Sequence, residues 1–456
     1  MKYVSTRGHA PVLGFGDTLL TGLASDGGLY VPEAWPTLAD GWDVVRPYHE
    51  VATEVMWPFV EGSIEQADLA RMVEDAYATF EHPEVCPVVE LPDPKHGDLH
   101  LLELFWGPTL AFKDVALQIV GRLFDHELTR RGERATIVVA TSGDTGSAAI
   151  EACVGRSTLD IVVLHPAGRV SDVQRRQMTT VDAPNVHNVA IEGTFDDCQD
   201  LVKAMFADVA FRDRVRLSAM NSINWARVMA QIVYYVTTSA RLGRCSFTVP
   251  SGNFGNIFAG WIAEKMGVPV DQLVIGSNRN DILTRWAGSG ALVAEEVVPT
   301  LSPSMDIQVS SNHERLLFEL LGRDGDRTSE LLARFRGVGS VEVPRDPRFD
   351  AASIDDAQTL RIIRDVHAST GMLVDPHTAV GIGAARATRR DPGVPMVCLA
   401  TAHPAKFPDA VEQATGIRPP LPDRLADLFD RDEHFEVLPA SVASVQAHVE
   451  RCIASS

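Results

Sequence analysis

Residues 247–261 read FTVPSGNFGNIFAGW, an apolar run, a glycine-rich turn and the start of a second apolar run. Phe247 to Val249 has the unbroken hydrophobic character of a strand buried on both faces of a parallel sheet. A helix is expected from Ile257, so the turn Ser251-Gly252-Asn253-Phe254-Gly255-Asn256 brings unpaired backbone N–H groups to a helix N-terminus, a natural anion site. Residues 136–148, TIVVATSGDTGSA, repeat the pattern. Here a strand from Thr136 to Ala140 leads through Ser142-Gly143-Asp144-Thr145-Gly146-Ser147 to a helix expected from Ala148. Either turn alone reads equally well as a capped tight turn; two in one chain favour a bound anion. Neither matches Gly-x-Gly-x-x-Gly or ends in the Lys-Ser/Thr of a phosphate-binding loop, so support for a nucleotide is weak.

Outward from these turns, strands at Ile161–Leu164 and Met396–Ala400 alternate with helical patterns. Leu201, Val202, Met205, Phe206 and Val209 form one apolar stripe, and Val228, Met229, Ile232, Val233 and Val236 another. The alternation predicts an α/β fold with helices on both sheet faces. Leu69, Met72, Val73, Ala76, Tyr77 and Phe80 mark a helix over 65–80, and the proline-rich stretch from His82 to Gly97 predicts a boundary after an N-terminal domain. Val442, Val445, Val449 and Ile453 mark a last amphipathic helix.

The composition narrows the partners. With 41 Lys plus Arg against 61 Asp plus Glu the chain carries a net charge of −20 over 456 residues, which argues against nucleic acid. No apolar run reaches the length of a membrane span, and the start Met1-Lys2-Tyr3-Val4-Ser5-Thr6-Arg7 has no apolar signal core, so a cytoplasmic place and no membrane partner are expected. Six scattered cysteines lack metal-ligand or redox spacing and read as buried small hydrophobes; no protein-bound metal is expected.

Two further segments carry chemistry. Pro108-Thr109-Leu110-Ala111-Phe112-Lys113-Asp114 opens a helix continued by Val115, Ala116, Ile119, Val120 and Leu123. Lys113 lies among apolar residues at a helix start, where desolvation and the helix dipole both disfavour the ammonium form and favour a nucleophilic amine. Most lysines beside apolar residues only snorkel, so this feature does not stand alone. Asn221-Ser222-Ile223-Asn224-Trp225-Ala226-Arg227 places small polar groups and a guanidinium at another helix start, suited to a phosphate or carboxylate, or simply to an N-cap by Ser222 or Asn224.

Together these segments resemble the threonine synthase family, enzymes dependent on pyridoxal 5'-phosphate (PLP). The likeness extends through Tyr3–Gly8, Gly22–Pro32, Thr300–Ile307, Asp375–Gly381 and Ala400–Phe407. The long N-terminal region and Asp144, where related dehydratases carry asparagine, resemble the branch of enteric bacteria and fungi. The resemblance implies a fold-type II architecture: two open α/β domains with the cofactor between them, plus an N-terminal domain. The implied boundaries are 1–97 for the N-terminal domain, 98–130 with 235–456 for the cofactor domain, and 131–234 for a smaller substrate domain. It implies that Lys113 carries PLP covalently, that Gly252, Asn253, Phe254, Gly255 and Asn256 hold its phosphate, and that Thr401 meets its ring nitrogen. The implied substrate is O-phospho-L-homoserine, its carboxylate at Ser142, Gly143, Asp144 and Thr145 and its phosphate at Asn221, Ser222, Asn224 and Arg227. The products would be L-threonine and phosphate, and the assembly a monomer or homodimer. Lys406 could also reach an anion, but it reads first as a surface lysine. Rival readings are a serine or threonine dehydratase, a non-catalytic ligand-binding homologue, and a nucleotide-binding α/β protein.

Overall fold

The computed structural model describes residues 1–455, which divide into two compact units. The larger comprises Met1–Thr18, Leu23–Ala116 and Ser222–Pro419. Its main sheet runs in the order Phe349–Ser353, Val270–Ser277, Cys245–Pro250, Met396–Ala400, Leu99–Glu103, Val88–Leu91. The first five strands are parallel, and Val88–Leu91 closes the edge antiparallel. Cys245–Pro250 and Met396–Ala400 are buried along their whole length, as their continuous apolar runs require in the middle of a parallel sheet. The helix Pro376–Thr388 buries Ala379, Val380, Ile382, Ala384 and Ala385 with Val274, Met396 and Cys398 of the sheet in one core. A small antiparallel sheet joins Leu13–Gly14, Lys2–Ser5 and Tyr30–Pro32.

The smaller unit comprises Leu19–Gly22, Leu117–Asn221 and Pro420–Ser456. Its sheet is parallel throughout, in the order Glu436–Pro439, Val186–Glu192, Leu159–Pro166, Ala135–Ala140, Leu217–Ser218. Val138, Val162, Leu164 and Val189 pack with Leu201 and Met205 of the helix Phe195–Ala207. Thr194 and Asp197 close a reciprocal capping box at that helix's start.

The two compact units divide the chain along other lines than the expected domains. Apart from Leu19–Gly22, residues 1–97 lie in the larger unit. Residues 117–130 go with the smaller unit and 222–234 with the larger. Residues 420–456 also go with the smaller unit: Glu436–Pro439 pairs with Val186–Glu192, and Val445 and Val449 enter the same core. A four-residue, mostly exposed edge strand ending in proline leaves no periodic signal. Both glycine-turn helices begin earlier than expected, at Asp144 and Gly255, because the polar residues of each turn already form the first helical turn. All six cysteines are free and buried. Among the described residues no helix is long and apolar enough to cross a membrane.

Candidate active site

Lys113 is the first residue of the helix Lys113–Arg131, and the chain before it is tied to the end of a central strand. Phe112 donates its N–H to Thr401 O at 2.9 Å, and His403 donates to Leu110 O at 3.0 Å, so 110–112 and 401–403 form a two-strand clamp. Leu110 is forced to a φ of 64°, which leucine rarely adopts. Buried Asp114 accepts from Thr109 N at 2.8 Å and Thr109 Oγ1 at 2.7 Å. Glycine is required at 107, because a Cβ there would lie 2.4 Å from that of Asp114. Lys113 itself is 8% exposed, and its Nζ stands 5.1 Å from the Phe112 ring centroid. Thr401, buried, lies one backbone hydrogen bond from the residue before the lysine. Lys406 is not on the surface as expected. It is fully buried and donates from Nζ to Thr109 O at 2.7 Å.

The turn 251–256 in the same unit has the features of an anion cradle. A Cβ on Gly252 would come within 2.9 Å of Ser304 O, and one on Gly255 within 3.2 Å of Asn312 Nδ2, so both positions admit only close backbone. Phe254 takes a φ of 65°, and its ring is held by His313, Phe349 and Trp286 at 5.0, 5.6 and 6.2 Å. Asn256 Oδ1 accepts from Tyr234 OH at 2.6 Å and Tyr235 OH at 2.9 Å, which fixes the amide and turns Nδ2 the other way. That Nδ2 is buried without a protein acceptor, as is the hydroxyl of Ser251. Two buried groups without partners beside an open helix start call for an anion.

A set of residues that the sequence reading missed holds this cradle from behind. Ser310 Oγ donates to Gly252 O at 2.6 Å, Ser311 Oγ to Asn253 Oδ1 at 3.0 Å, and Asn312 N to Asn253 O at 3.1 Å. Asn312 Nδ2 reaches Ser222 O at 3.0 Å, and Arg315 reaches Ile223 O at 2.6 Å and Tyr30 O at 3.1 Å. Glu314, the residue before Arg315 in the helix His313–Leu320, pairs with Arg7 at 3.1 Å and accepts from Thr6 Oγ1 at 2.6 Å. The N-terminal segment Tyr3–Gly8 thus acts on the cradle through a buried ion pair. The only local hint was Ser310-Ser311-Asn312 ahead of an apolar helix, which reads as an ordinary cap.

His313 carries a pH signature. Burial drives its imidazole down to about 3, so it is neutral in the native protein at ordinary pH. The unfolded chain takes up the proton near ~6.5, so this stabilising term is fully present above that pH and declines as pH falls toward ~3, by about 1 kcal/mol per pH unit. Urea unfolding from about pH 7 to about pH 4 should show a shallower acid loss in His313→Phe than in the wild type. Parallel curves would contradict the assignment.

The segment 221–227 divides. Asn224 caps the helix Trp225–Leu242, accepting from Ala226 N at 3.0 Å, as the plain reading anticipated. Ser222 and Ile223 lend their carbonyls to Asn312 and Arg315. Asn221 is exposed and belongs to the smaller unit. Arg227 is 4% exposed, its Nε and Nη1 have no acceptor, and burial lowers its guanidinium to about 10. In the smaller unit, Thr141 Oγ1 organises the other turn by accepting from Gly143 N and Gly146 N, each at 2.9 Å. Asp144 and Gly143 are buried there, Ser142 is exposed and Thr145 is half-buried.

Comparison with known proteins gives the arrangement a family. Residues 2–77 match the threonine synthase N terminus, 81–402 the pyridoxal-phosphate dependent enzymes, and 378–449 the threonine synthase C-terminal region. The threonine synthase of Pseudomonas aeruginosa is 55% identical, covering 99% of this chain and 98% of that one. The chain belongs to the threonine synthase family. Solved threonine synthases agree in fold: the PLP-bound enzyme of Brucella melitensis at 51% identity and a TM-score of 0.95, with 99% of each chain covered, and that of yeast at 36% and 0.94, covering 100% of this chain and 99% of that one. The cofactor of this threonine synthase is PLP, and the chain's own residues fit it. The donors of Ser251 and Asn256, the helix start at Gly255 and the two close-packed glycines suit a phosphate.

Proposed function

We propose that the protein converts O-phospho-L-homoserine and water into L-threonine and inorganic phosphate. The observation that carries the choice of substrate is Arg227: a buried guanidinium without an acceptor, in addition to a cradle already equipped for the cofactor phosphate, asks for a second anion. A dehydratase acting on serine or threonine would have no such need. Lys113 is the residue through which PLP is attached, and Gly252, Asn253, Phe254, Gly255 and Asn256 hold its phosphate.

When bound, PLP supplies an electron sink that acidifies the substrate's α-hydrogen. Thr401 would meet the ring nitrogen of the bound cofactor with a hydroxyl in place of a carboxylate, which would leave that nitrogen largely unprotonated. The Lys113 amine would take the proton from Cα and later return one there. Loss of a Cβ proton lets phosphate leave Cγ; a proton then adds at Cγ and water adds its hydroxyl at Cβ. Arg227, with Asn221, Ser222 and Asn224, holds the substrate phosphate and meets its growing charge as the C–O bond breaks. Ser142, Gly143, Asp144 and Thr145 orient the carboxylate end. The buried, disulfide-free cysteines support a cytoplasmic place for this reaction.

Release of phosphate from O-phospho-L-homoserine, with L-serine as control substrate, tests the proposal. Stoichiometric phosphate and threonine are expected; pyruvate from serine with no phosphate release would replace the reading with a dehydratase.

A further inference from the structure

We propose that Gln174 is a positioning residue for the substrate-carboxylate turn: it tethers Asp144 to one side, and without it the turn's own carboxylate would compete for the place of the substrate's. The inference rests on the reading of Ser142–Thr145 given above.

Asp144 is the first residue of the helix Asp144–Cys153 and is 5% exposed. A carboxylate there is attracted to the same N-terminal backbone N–H groups that would receive a substrate carboxylate, and two carboxylates at one such point repel. Gln174 Nε2 donates to Asp144 Oδ1 at 2.8 Å and draws that charge toward its own helix, Asp172–Thr179. The amide cannot flip: Ser171 Oγ donates to Gln174 Oε1 at 2.9 Å while the same hydroxyl accepts Gln174 N at 3.3 Å as the helix cap. Nor can it retreat, since it lies against Gly143, where a Cβ would be 2.6 Å from Gln174 Cδ. Gly143 has a φ of 138° and no side chain, so the contact is backbone against amide.

The helix carrying Gln174 is anchored on its other side. Arg175 makes a two-pronged bond to Glu433 at 2.8 and 3.1 Å, Thr179 adds a third at 2.7 Å, and Arg176 holds Arg431 O at 3.1 Å. The tether therefore has a rigid base. Its chemistry needs glutamine: glutamate would set acceptor against acceptor, and methionine has the reach but no donor.

Steady-state kinetics of the holoenzyme on O-phospho-L-homoserine test this. Gln174→Met should raise KM by about 10-fold or more with a smaller change in kcat, the scale of a lost hydrogen bond to a charged group. In the Asp144→Asn background the same substitution should raise KM less than about 3-fold, because an uncharged amide does not compete with the substrate's carboxylate. A full penalty in both backgrounds would mean a merely structural role and overturn the proposal, as would an unchanged KM in Gln174→Met. Should that variant fail to fold, Ser171→Ala, which frees the amide to flip, provides the same paired comparison with a smaller KM rise. Ser142→Ala and Thr145→Val separate the two levels. If they raise KM while Gln174→Met does not, the tether alone falls; if they too leave KM unchanged, the reading of the turn falls with it.

Discussion

Lys113→Ala is expected to lose turnover by at least ~10⁴-fold, because the proposed mechanism calls on the position twice, as cofactor anchor and as carrier of the Cα proton. The structure makes the loss specific. Lys113 is held by the clamp of 110–112 on 401–403 and by the Asp114 turn, all built from backbone and from side chains other than its own. Neither the clamp nor the Asp114 turn uses the Lys113 side chain, so the variant should keep its fold. The purified wild type should show the visible absorption of the cofactor's imine, which borohydride abolishes by reducing the C=N bond to an amine that fixes the cofactor to the protein, and the variant should lack that band while still binding PLP through the cradle. A variant that kept either the visible band or more than a trace of activity would remove the basis of the mechanism. Lys406, the other buried lysine of the region, is a structural donor to Thr109 O, so it is no substitute nucleophile.

The second large effect is expected at Arg227, and it has two opposite signs. Arg227→Leu should lower kcat/KM for O-phospho-L-homoserine by ~10²- to 10³-fold, within the ~2–5 kcal/mol lost when a buried charge-assisted contact is truncated. The same change should cost the fold little, relief of a desolvated guanidinium with two unpartnered nitrogens offsetting the space left by the shorter leucine, and Arg227→Met, which keeps more of the reach, should stabilise the protein in the absence of substrate by about 1–4 kcal/mol. Thermal unfolding provides an independent check: inorganic phosphate should raise the wild-type midpoint more than that of either variant, by linkage to the anion site. An Arg227→Met protein that is less stable, or an Arg227→Leu protein that keeps its KM, would show that the guanidinium serves the fold and not the substrate.

Both predictions grow from features visible in short stretches of sequence, but to different depths. Strands Met396–Ala400 and Cys245–Pro250 were legible because a parallel sheet buries both faces and the residues must be apolar without interruption. The turn 251–256 was legible because glycine and small polar residues at a strand-to-helix junction have a local cause. Lys406 was misjudged because its partner, the carbonyl of Thr109, is 297 residues away in sequence. Arg227 was read as a guanidinium suited to an anion, with a capping segment as the plain alternative; the want of an acceptor at its Nε and Nη1 is a property of everything packed around it. Asn312 and Ser310 left no mark, since each acts on a loop more than 50 residues earlier. The placing of residues 420–456 with the smaller unit depended on one edge pairing between strands that carry no matching pattern of their own.

The amino-acid order by itself determined the α/β class, the two glycine turns and the family, and it marked the lysine proposed to hold the cofactor, because each rests on residues within a dozen positions of one another or on segments shared in order with relatives. Tertiary structure alone decided which carbonyl receives Lys406, which amide steers Asp144 and which buried donors are left facing an anion. The physical reason is that desolvation and hydrogen-bond satisfaction depend on what surrounds an atom in space, and chain separation carries no information about that until the core has closed.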